Sequence, residues 1–288
     1  MGTEIRPMSA EDVAAAEGVW HRAASVMRVE HGLPPRAYDE EVKERTRRGM
    51  HHLLCTDPDG CWVAVSDGEV VGLAQAIRRE QLWVLSLLGV VPEHQARGLG
   101  RVLLEAATRY GGAAAPGMIM SSRDPRAVRR YGLAGFEVRP TMGAWGRVRA
   151  GALPRSPGLR HADLSDRPVV DALDRALRGS SHGPDLDHLL REGHRLVVLD
   201  DVGYAVCREA RPVLLGATSE EAAEALLCGV LSNADPEEAV ELGWVTGDQQ
   251  WAIRVALRAG LELHPSGPLM VRGDPGPLRP YLPSGAFG

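Results

Sequence analysis

The chain has 288 residues, with 33 Lys and Arg against 38 Asp and Glu, a formal net charge of −5, 44% hydrophobic residues and 25% charged ones. This balance excludes intrinsic disorder and leaves room for one or two domains with cores of their own. It also argues against nucleic acid as the main partner, because a phosphate backbone demands a basic footprint, whereas a mildly acidic surface tolerates or attracts a cationic amine.

The N-terminal residues 1–7 lack the apolar core of a signal peptide, and no apolar run of about eighteen residues occurs anywhere, so a cytoplasmic protein without membrane contact is expected. Residues 3–6 read as a first strand. Ser9 and Asp12 have capping-box spacing ahead of a helix over 11–27, which the Gly-Pro-containing stretch 31–35 ends, and a charged helix over 38–52 follows. Residues 60–65 and 69–77 flank an Asp67-Gly68 turn and predict a hairpin. Residues 82–91 form a longer strand, apolar on both faces and therefore central. A helix over 98–110, a strand over 117–121 and a helix over 125–133, with Asp124 as N-cap and Pro125 at its first position, come next; residues 136–148 close the series as one or two strands. Cys55, Cys61, Cys207 and Cys228 lack Cys-x-x-Cys spacing and are expected to be buried thiols, and neither His51-His52 nor His182-x-x-Asp185 has the company of a metal site. No metal is expected.

The stretch 87–101 carries the chemistry. An apolar strand ends at Val90-Val91-Pro92, and Gln95-Ala96-Arg97-Gly98-Leu99-Gly100-Arg101 opens a helix. The first amides of a helix point outward unpaired with the positive end of its dipole. Glycines at 98 and 100 let a ligand approach the backbone, and Arg97 and Arg101 add charge, so the expected guest is an anion, a diphosphate by size.

This pattern resembles the acyl-CoA motif of the GNAT superfamily of N-acetyltransferases: an apolar strand, Val-x-Pro, then Gln/Arg-x-x-Gly-x-Gly/Ala. A second segment, Asp124-x-x-Ala127-x-x-x-Tyr131-x-x-x-Gly135-Phe136, is similar to the family's Asn-x-x-Ala-x-x-x-Tyr-x-x-x-Gly-Phe, with Asp124 where Asn is common. The resemblance implies an α/β fold with a mixed central sheet flanked by helices. It further implies acetyl-CoA bound through Val90, Val91 and residues 95–101, and Tyr131 as the acid that protonates the departing thiolate. It also puts the break after the first helix beside the acceptor, which makes Glu30 and His31 the candidates for general base. Glu80 and Ser86 are weaker ones.

Residues 151–158 have linker composition, and beyond them the plan repeats. Residues 135–141 (Gly-Phe-Glu-Val-Arg-Pro-Thr) align with 260–266 (Gly-Leu-Glu-Leu-His-Pro-Ser), 125 positions later, and Leu103-Leu104 has an echo in Leu226-Leu227. The chain therefore reads as two tandem GNAT-type domains, 1–150 and 159–288. In the second, residues 216–221 and Glu224 replace the glycine loop with carboxylates that would repel a diphosphate, and Ala256 stands where Tyr131 would be. The expected activity is direct transfer of an acetyl group from acetyl-CoA to a primary amine of a small molecule or peptide. The alternative is a non-catalytic acyl-CoA-binding sensor or regulatory module. The tail 280–288 is expected to dock against the body.

Overall fold

The computed structural model describes residues 2–30, 32, 37–112 and 114–288, and its contacts divide the chain into two units: Met1–Arg78 with Trp83–Gly117, and Arg79–Leu82 with Met118–Gly288. In the first unit the elements are β1 (Glu4–Pro7), α1 (Val13–Glu30), α2 (Glu40–Thr56), β2 (Cys61–Ser66), β3 (Glu69–Arg79), β4 (Leu82–Val90) and α3 (Leu99–Gly111). The strands lie side by side in the order β1-β2-β3-β4, with β1 and β3 both antiparallel to β2. The predicted hairpin forms at Asp67 and Gly68, whose φ values of 53° and 85° are those of a type I′ turn, the turn whose twist suits two antiparallel strands. Trp83 on β4 is fully buried and donates from Nε1 to the Ala107 carbonyl at 3.0 Å, tying the strand to α3.

The Ser9–Asp12 capping box forms on a single 3₁₀ turn that leads into α1. The Asp12 carboxylate accepts from the Ser9 amide at 2.7 Å and hydroxyl at 2.9 Å, and takes both prongs of the Arg6 guanidinium at 2.7 Å. One expectation is corrected here. Cys61, Cys207 and Cys228 are buried, but Cys55 is exposed. On α2 the buried positions are Met50 and Leu53, and two residues further on, at about 100° per residue, a side chain points away from that face.

The second unit holds β5 (Gly117–Met120), α4 (Pro125–Leu133), β6 (Glu137–Arg139), β7 (Thr141–Arg147), β8 (Leu159–Ala162), α5 (Arg167–Arg178), α6 (Pro184–Arg191), β9 (Arg195–Leu199), β10 (Gly203–Arg208), β11 (Arg211–Ala217), α7 (Glu220–Leu231), β12 (Ala239–Thr246), α8 (Gln250–Ala259), β13 (Glu262–Pro265), β14 (Leu269–Arg272) and β15 (Tyr281–Leu282). The predicted span 136–148 is thus two strands. They are drawn into different sheets: β6 lies beside β14 in the order β5-β14-β6, while β7 sits between β12 and β13, antiparallel to both. The remaining strands follow β15-β11-β10-β9-β8. Residues 151–158 are irregular, as their composition predicts, yet the contact division falls before β5, because β6 and β7 are hydrogen-bonded to strands from the end of the chain. Helices α7 and α8 supply Leu226, Leu227, Trp251 and Val255 to a core that also takes Ala144 of β7.

The tail docks on this unit. Tyr281, Leu282, Ser284 and Phe287 are buried, and β15 adds to the edge of β11. His182, buried in the loop between α5 and α6, faces the Asp174 carboxylate with Nδ1 at 2.6 Å and the Gly288 carbonyl oxygen with Nε2 at 3.0 Å. Asp174 also accepts from the Tyr204 hydroxyl, and its carboxyl lies below its ordinary range because the pull of His182 and the hydrogen bonds outweigh the burial that opposes ionisation. The Gly288 carbonyl oxygen can only accept, so Nε2 of His182 is the donor of that bond.

Asp12→Asn removes a charge satisfied by an arginine fork and two Ser9 donors, and should cost about 1–2 kcal/mol of stability. The carboxyl is held at about 2 against an ordinary 3.8, chiefly by the Arg6 hydrogen bond. A depressed carboxylate contributes in full above its unfolded value and loses that contribution as pH falls through the folded one, here from about 4 down to about 2. Urea midpoints measured across this window should fall further for the native chain than for Asp12→Asn; equal slopes would contradict the assignment.

Candidate functional site

The anion loop lies in the first unit. After β4 the chain makes one 3₁₀ turn over Pro92–His94, passes Gln95 in extended conformation, and takes positive φ at Ala96 (60°) and Gly98 (85°) before α3 starts at Leu99. A left-handed conformation at alanine costs on the order of 1 kcal/mol, which the surrounding turn has to hold in place. Gln95 does that holding: its Nε2 donates to the Val90 carbonyl at 2.9 Å, so the side chain braces the loop from inside. The Val91 amide is bonded to the Val71 carbonyl of β3 at 3.0 Å. Successive residues of a strand turn their peptide groups to opposite edges, so the Val90 amide points away from β3.

Gly98 is the N-cap of α3 and offers no side-chain acceptor to the first-turn amides, with open space beside its Cα. Ala96, Arg97 and Gly98 are exposed, and Arg101 is exposed and loosely paired with Glu105 at 3.8 Å. The start of α7 is built the other way. Ser219 caps it, its hydroxyl accepting from the Ala222 amide at 3.2 Å, and Glu220 and Glu221 fill the first turn. Glu220 and Glu224 are in turn paired with Arg254 and Arg279. One helix start is bare and flanked by arginines; the other is already satisfied by its own chain.

Tyr131 belongs to the second unit. Asp124 caps α4 by accepting from the Arg126 amide at 2.8 Å, Pro125 opens the helix, and Tyr131 is its buried residue. Burial pushes the phenol well above its ordinary value of 10, the Arg130 charge pulling slightly the other way, so the hydroxyl keeps its proton at any physiological pH. The alignment with the second repeat is matched hydrogen bond for hydrogen bond. Phe136 donates to the Tyr131 carbonyl at 3.1 Å and Gly135 to that of Gly132 at 3.1 Å; Leu261 donates to Ala256 at 3.0 Å and Gly260 to Leu257 at 3.1 Å. Gly135 and Gly260 carry φ of 87° and 85°. Ala256 is therefore the geometric counterpart of Tyr131, without the hydroxyl.

The candidates for a base fare unequally. Glu30 is exposed as the last residue of α1, and His31 lies outside the described residues. Glu80 is committed: it accepts from Arg175 at 2.9 Å and Ser181 at 3.2 Å, and Arg175 above all holds its carboxyl below the ordinary value. Ser86 is buried on β4, and its Oγ has no hydrogen-bond partner among the described residues. Two features escaped the sequence reading. Glu17 on α1 is only 2% exposed, 3.6 Å from Arg47, and hydrogen-bonded to Tyr38, whose phenol is pushed up to about 12 by burial and then by that bond. The signal was a carboxylate inside the apolar stripe of Val13, Ala16 and Val19. The other is Trp244, left half-buried on a bulge of β12 that no sequence pattern marks.

Among the described residues no group of three or more His, Cys, Asp or Glu side chains is arranged to hold a metal ion, and no helix is long and apolar enough to cross a membrane. Residues 23–140 match the profile of the Acetyltransferase (GNAT) family. No curated protein matches the sequence. Among solved structures, the chain is similar over its whole length to a Pyrococcus horikoshii protein described as a candidate acetyltransferase, at 17% identity with a TM-score of 0.79 and 96% of that chain covered. It is similar over 94% of its length to a GCN5-related N-acetyltransferase from Sphaerobacter thermophilus, at 18% identity with a TM-score of 0.61 and 95% of that chain covered. A tandem GNAT protein from the clavulanic acid biosynthesis pathway matches over 94% of this chain and 98% of its own, at 17% identity with a TM-score of 0.56. Residues 23–140 are thus a GNAT acetyltransferase domain, in a chain that takes the fold of tandem GNAT proteins throughout.

Proposed function

We propose that the chain is an acetyl-CoA-dependent N-acetyltransferase that moves an acetyl group directly to a primary amine in a ternary complex. The observation that carries this reading is the contrast between the two helix starts: α3 leaves its first amides uncapped behind Gly98, between Arg97 and Arg101, whereas α7 is closed by Ser219 and two carboxylates. Unpaired amides at the positive end of a helix, with arginines beside them, fit a diphosphate. The residues for this role are Ala96 to Arg101, with Gln95 as the brace and the Val90 amide as the main-chain donor toward the pantetheine arm or the thioester carbonyl.

In the reaction the amine nitrogen attacks the thioester carbonyl carbon, the C–N bond forms as the C–S bond breaks, and the leaving thiolate takes a proton. Tyr131 supplies it: burial keeps the phenol protonated, so the hydroxyl meets the leaving thiolate with its proton in place. The ammonium proton of the acceptor leaves to a base, for which Glu30 and His31 are the candidates. The acceptor is a small-molecule or peptide amine. Residues 1–150 form the catalytic domain in this reading, and 159–288, with Ala256 in place of the tyrosine, a domain that has no coenzyme site.

Acetyl-CoA at a saturating concentration should raise the melting temperature, and titration calorimetry should give one site per chain. Absence of stabilisation would remove the proposal, and two sites per chain would overturn the assignment of the second domain. Tyr131→Phe should slow thioester consumption with an amine panel by about 10²-fold or more while leaving acetyl-CoA affinity within about twofold. Because the phenol sits above 10, the native rate should show no alkaline fall from its ionisation below about pH 10. A rate unchanged by the substitution would take Tyr131 out of the mechanism, and stabilisation by acetyl-CoA with no thioester consumed for any amine of the panel would favour a sensor.

A further inference from the structure

Trp244 is placed by a strained detail that packing alone does not require. On β12, Leu242 faces Ala144 and Val245 faces Met142, so two residues, Gly243 and Trp244, stand opposite the single Gly143 of β7. This is a β-bulge, and Trp244 takes φ 49°, an unusual value for a bulky residue. Bulges re-aim side chains. Here the indole Nε1 is turned to donate to the carbonyl of Ser121, just past the C-terminal end of β5, at 3.2 Å. The other side of that peptide is held as firmly: the Ser121 amide donates to Pro268 at 3.0 Å, and a side chain at Gly267 would overlap the Ser121 carbonyl. Three residues further on, Asp124 caps α4, the helix that carries Tyr131.

The outer side of the indole is closed by the tail. A Cβ on Gly285 would lie 2.9 Å from the six-membered ring of Trp244, so the tail backbone rests directly on the ring. The tail is fixed on either side of that point. Ser284 and Gly288 exchange backbone hydrogen bonds at 3.4 and 3.1 Å, Tyr281 donates to the Gly288 carbonyl at 2.8 Å, Arg178 donates to the Phe287 carbonyl at 2.9 Å, and His182 donates to Gly288 from its seat on Asp174. A continuous series of contacts therefore runs from the buried Asp174–His182 hydrogen bond through the tail and an indole to the residue that leads into α4.

We propose that Trp244 is a positioning residue for Tyr131: wedged between Gly285 of the bolted tail and the Ser121 carbonyl, it fixes where β5 delivers the chain into α4 and hence where the tyrosine hydroxyl stands. This rests on the reading of Tyr131 as the proton donor. It assigns to the C-terminal repeat, which has no tyrosine of its own at Ala256, a part in the chemistry of the N-terminal one.

The test uses the full chain labelled with 3-fluorotyrosine, whose five tyrosines give separate ¹⁹F signals. Replacing the Trp244 indole by benzothiophene keeps the shape and removes only the N–H; Trp244→Phe is the genetic counterpart, and Gly285→Ala presses on the ring from the tail side. Each should shift or broaden the Tyr131 signal while Tyr204 and Tyr281, which report on the bolt, stay in place for the Trp244 changes. Loss of one hydrogen bond of ordinary worth should lower the acetyl-transfer rate about fivefold with the acetyl-CoA KM within about twofold. In a Tyr131→Phe background the same replacement should cost nothing further. An unmoved Tyr131 signal, or full additivity with Tyr131→Phe, overturns the positioning role. If Tyr131→Phe alone leaves the rate unchanged while the ¹⁹F signal still responds, the fault lies with the catalytic reading of Tyr131 and the structural coupling stands.

Discussion

The placement of β7 is the constraint on which the second unit depends. This strand follows α4 and β6 directly, yet it lies between β12 and β13, about a hundred residues downstream, while β14 from the end of the chain occupies the place between β5 and β6. Each half of the unit thus lends a strand to the other. A strand with neighbours on both sides has its amides and carbonyls satisfied in both directions, and neither lender can leave without exposing a row of them. That is why residues 118–288 cohere across the irregular segment 151–158, and why Ala144 of β7 is buried in a core made mostly by α7 and α8.

Given that shared framework, the chemistry separates by what each repeat leaves unsatisfied. At the start of α3, Gly98 contributes no cap and Ala96 is held in a left-handed conformation by the turn that Gln95 braces, so polar donors stay available. At the start of α7, Ser219 and the glutamates consume the same donors, and Arg254 and Arg279 consume the glutamates. A helix end binds an external anion only if its own sequence has not already supplied one. The Tyr131–Ala256 pair follows the same division: identical backbone hydrogen bonds, and one hydroxyl between them.

The buried polar network of Asp174, His182, Tyr204 and Arg178 has no place in that division, and its weight falls on the tail. Burying an ion pair is costly unless every remaining donor and acceptor is used. Here main-chain carbonyls of Phe287 and Gly288 accept from Arg178 and His182, so ordering of the tail satisfies part of the network, while Arg178 Nε has no partner among the described residues. The bulge at Trp244 depends on this in turn, because the indole is confined only while Gly285 lies against it.

Local order was legible in the chain because it rests on short-range rules. The Asp124-Pro125 start of α4, the Asp67-Gly68 hairpin, the capping box at Ser9 and the glycine loop at 98–100 all involve partners within a few positions, and the 125-residue repeat announced Ala256 as the counterpart of Tyr131. Residues 136–148 could be recognised as strand but not divided, since alternation along a strand does not say which strand will lie beside it. Gln95 could be placed in the loop, but its turn back to Val90 depends on the loop's own bend. Cys55 was misjudged from apolar neighbours in sequence, when only the orientation of α2 decides which face is covered. Nothing in the sequence pattern marks Trp244, because its placement requires a bulge in β12, a carbonyl 123 positions earlier and a glycine in the tail to meet at one indole. The sequence by itself determined which groups are available to bind an anion or give up a proton. Tertiary structure decided how the approach to Tyr131 is held, because Pro268 and Trp244, which bond to Ser121, are distant in the chain and are brought near by the exchange of strands.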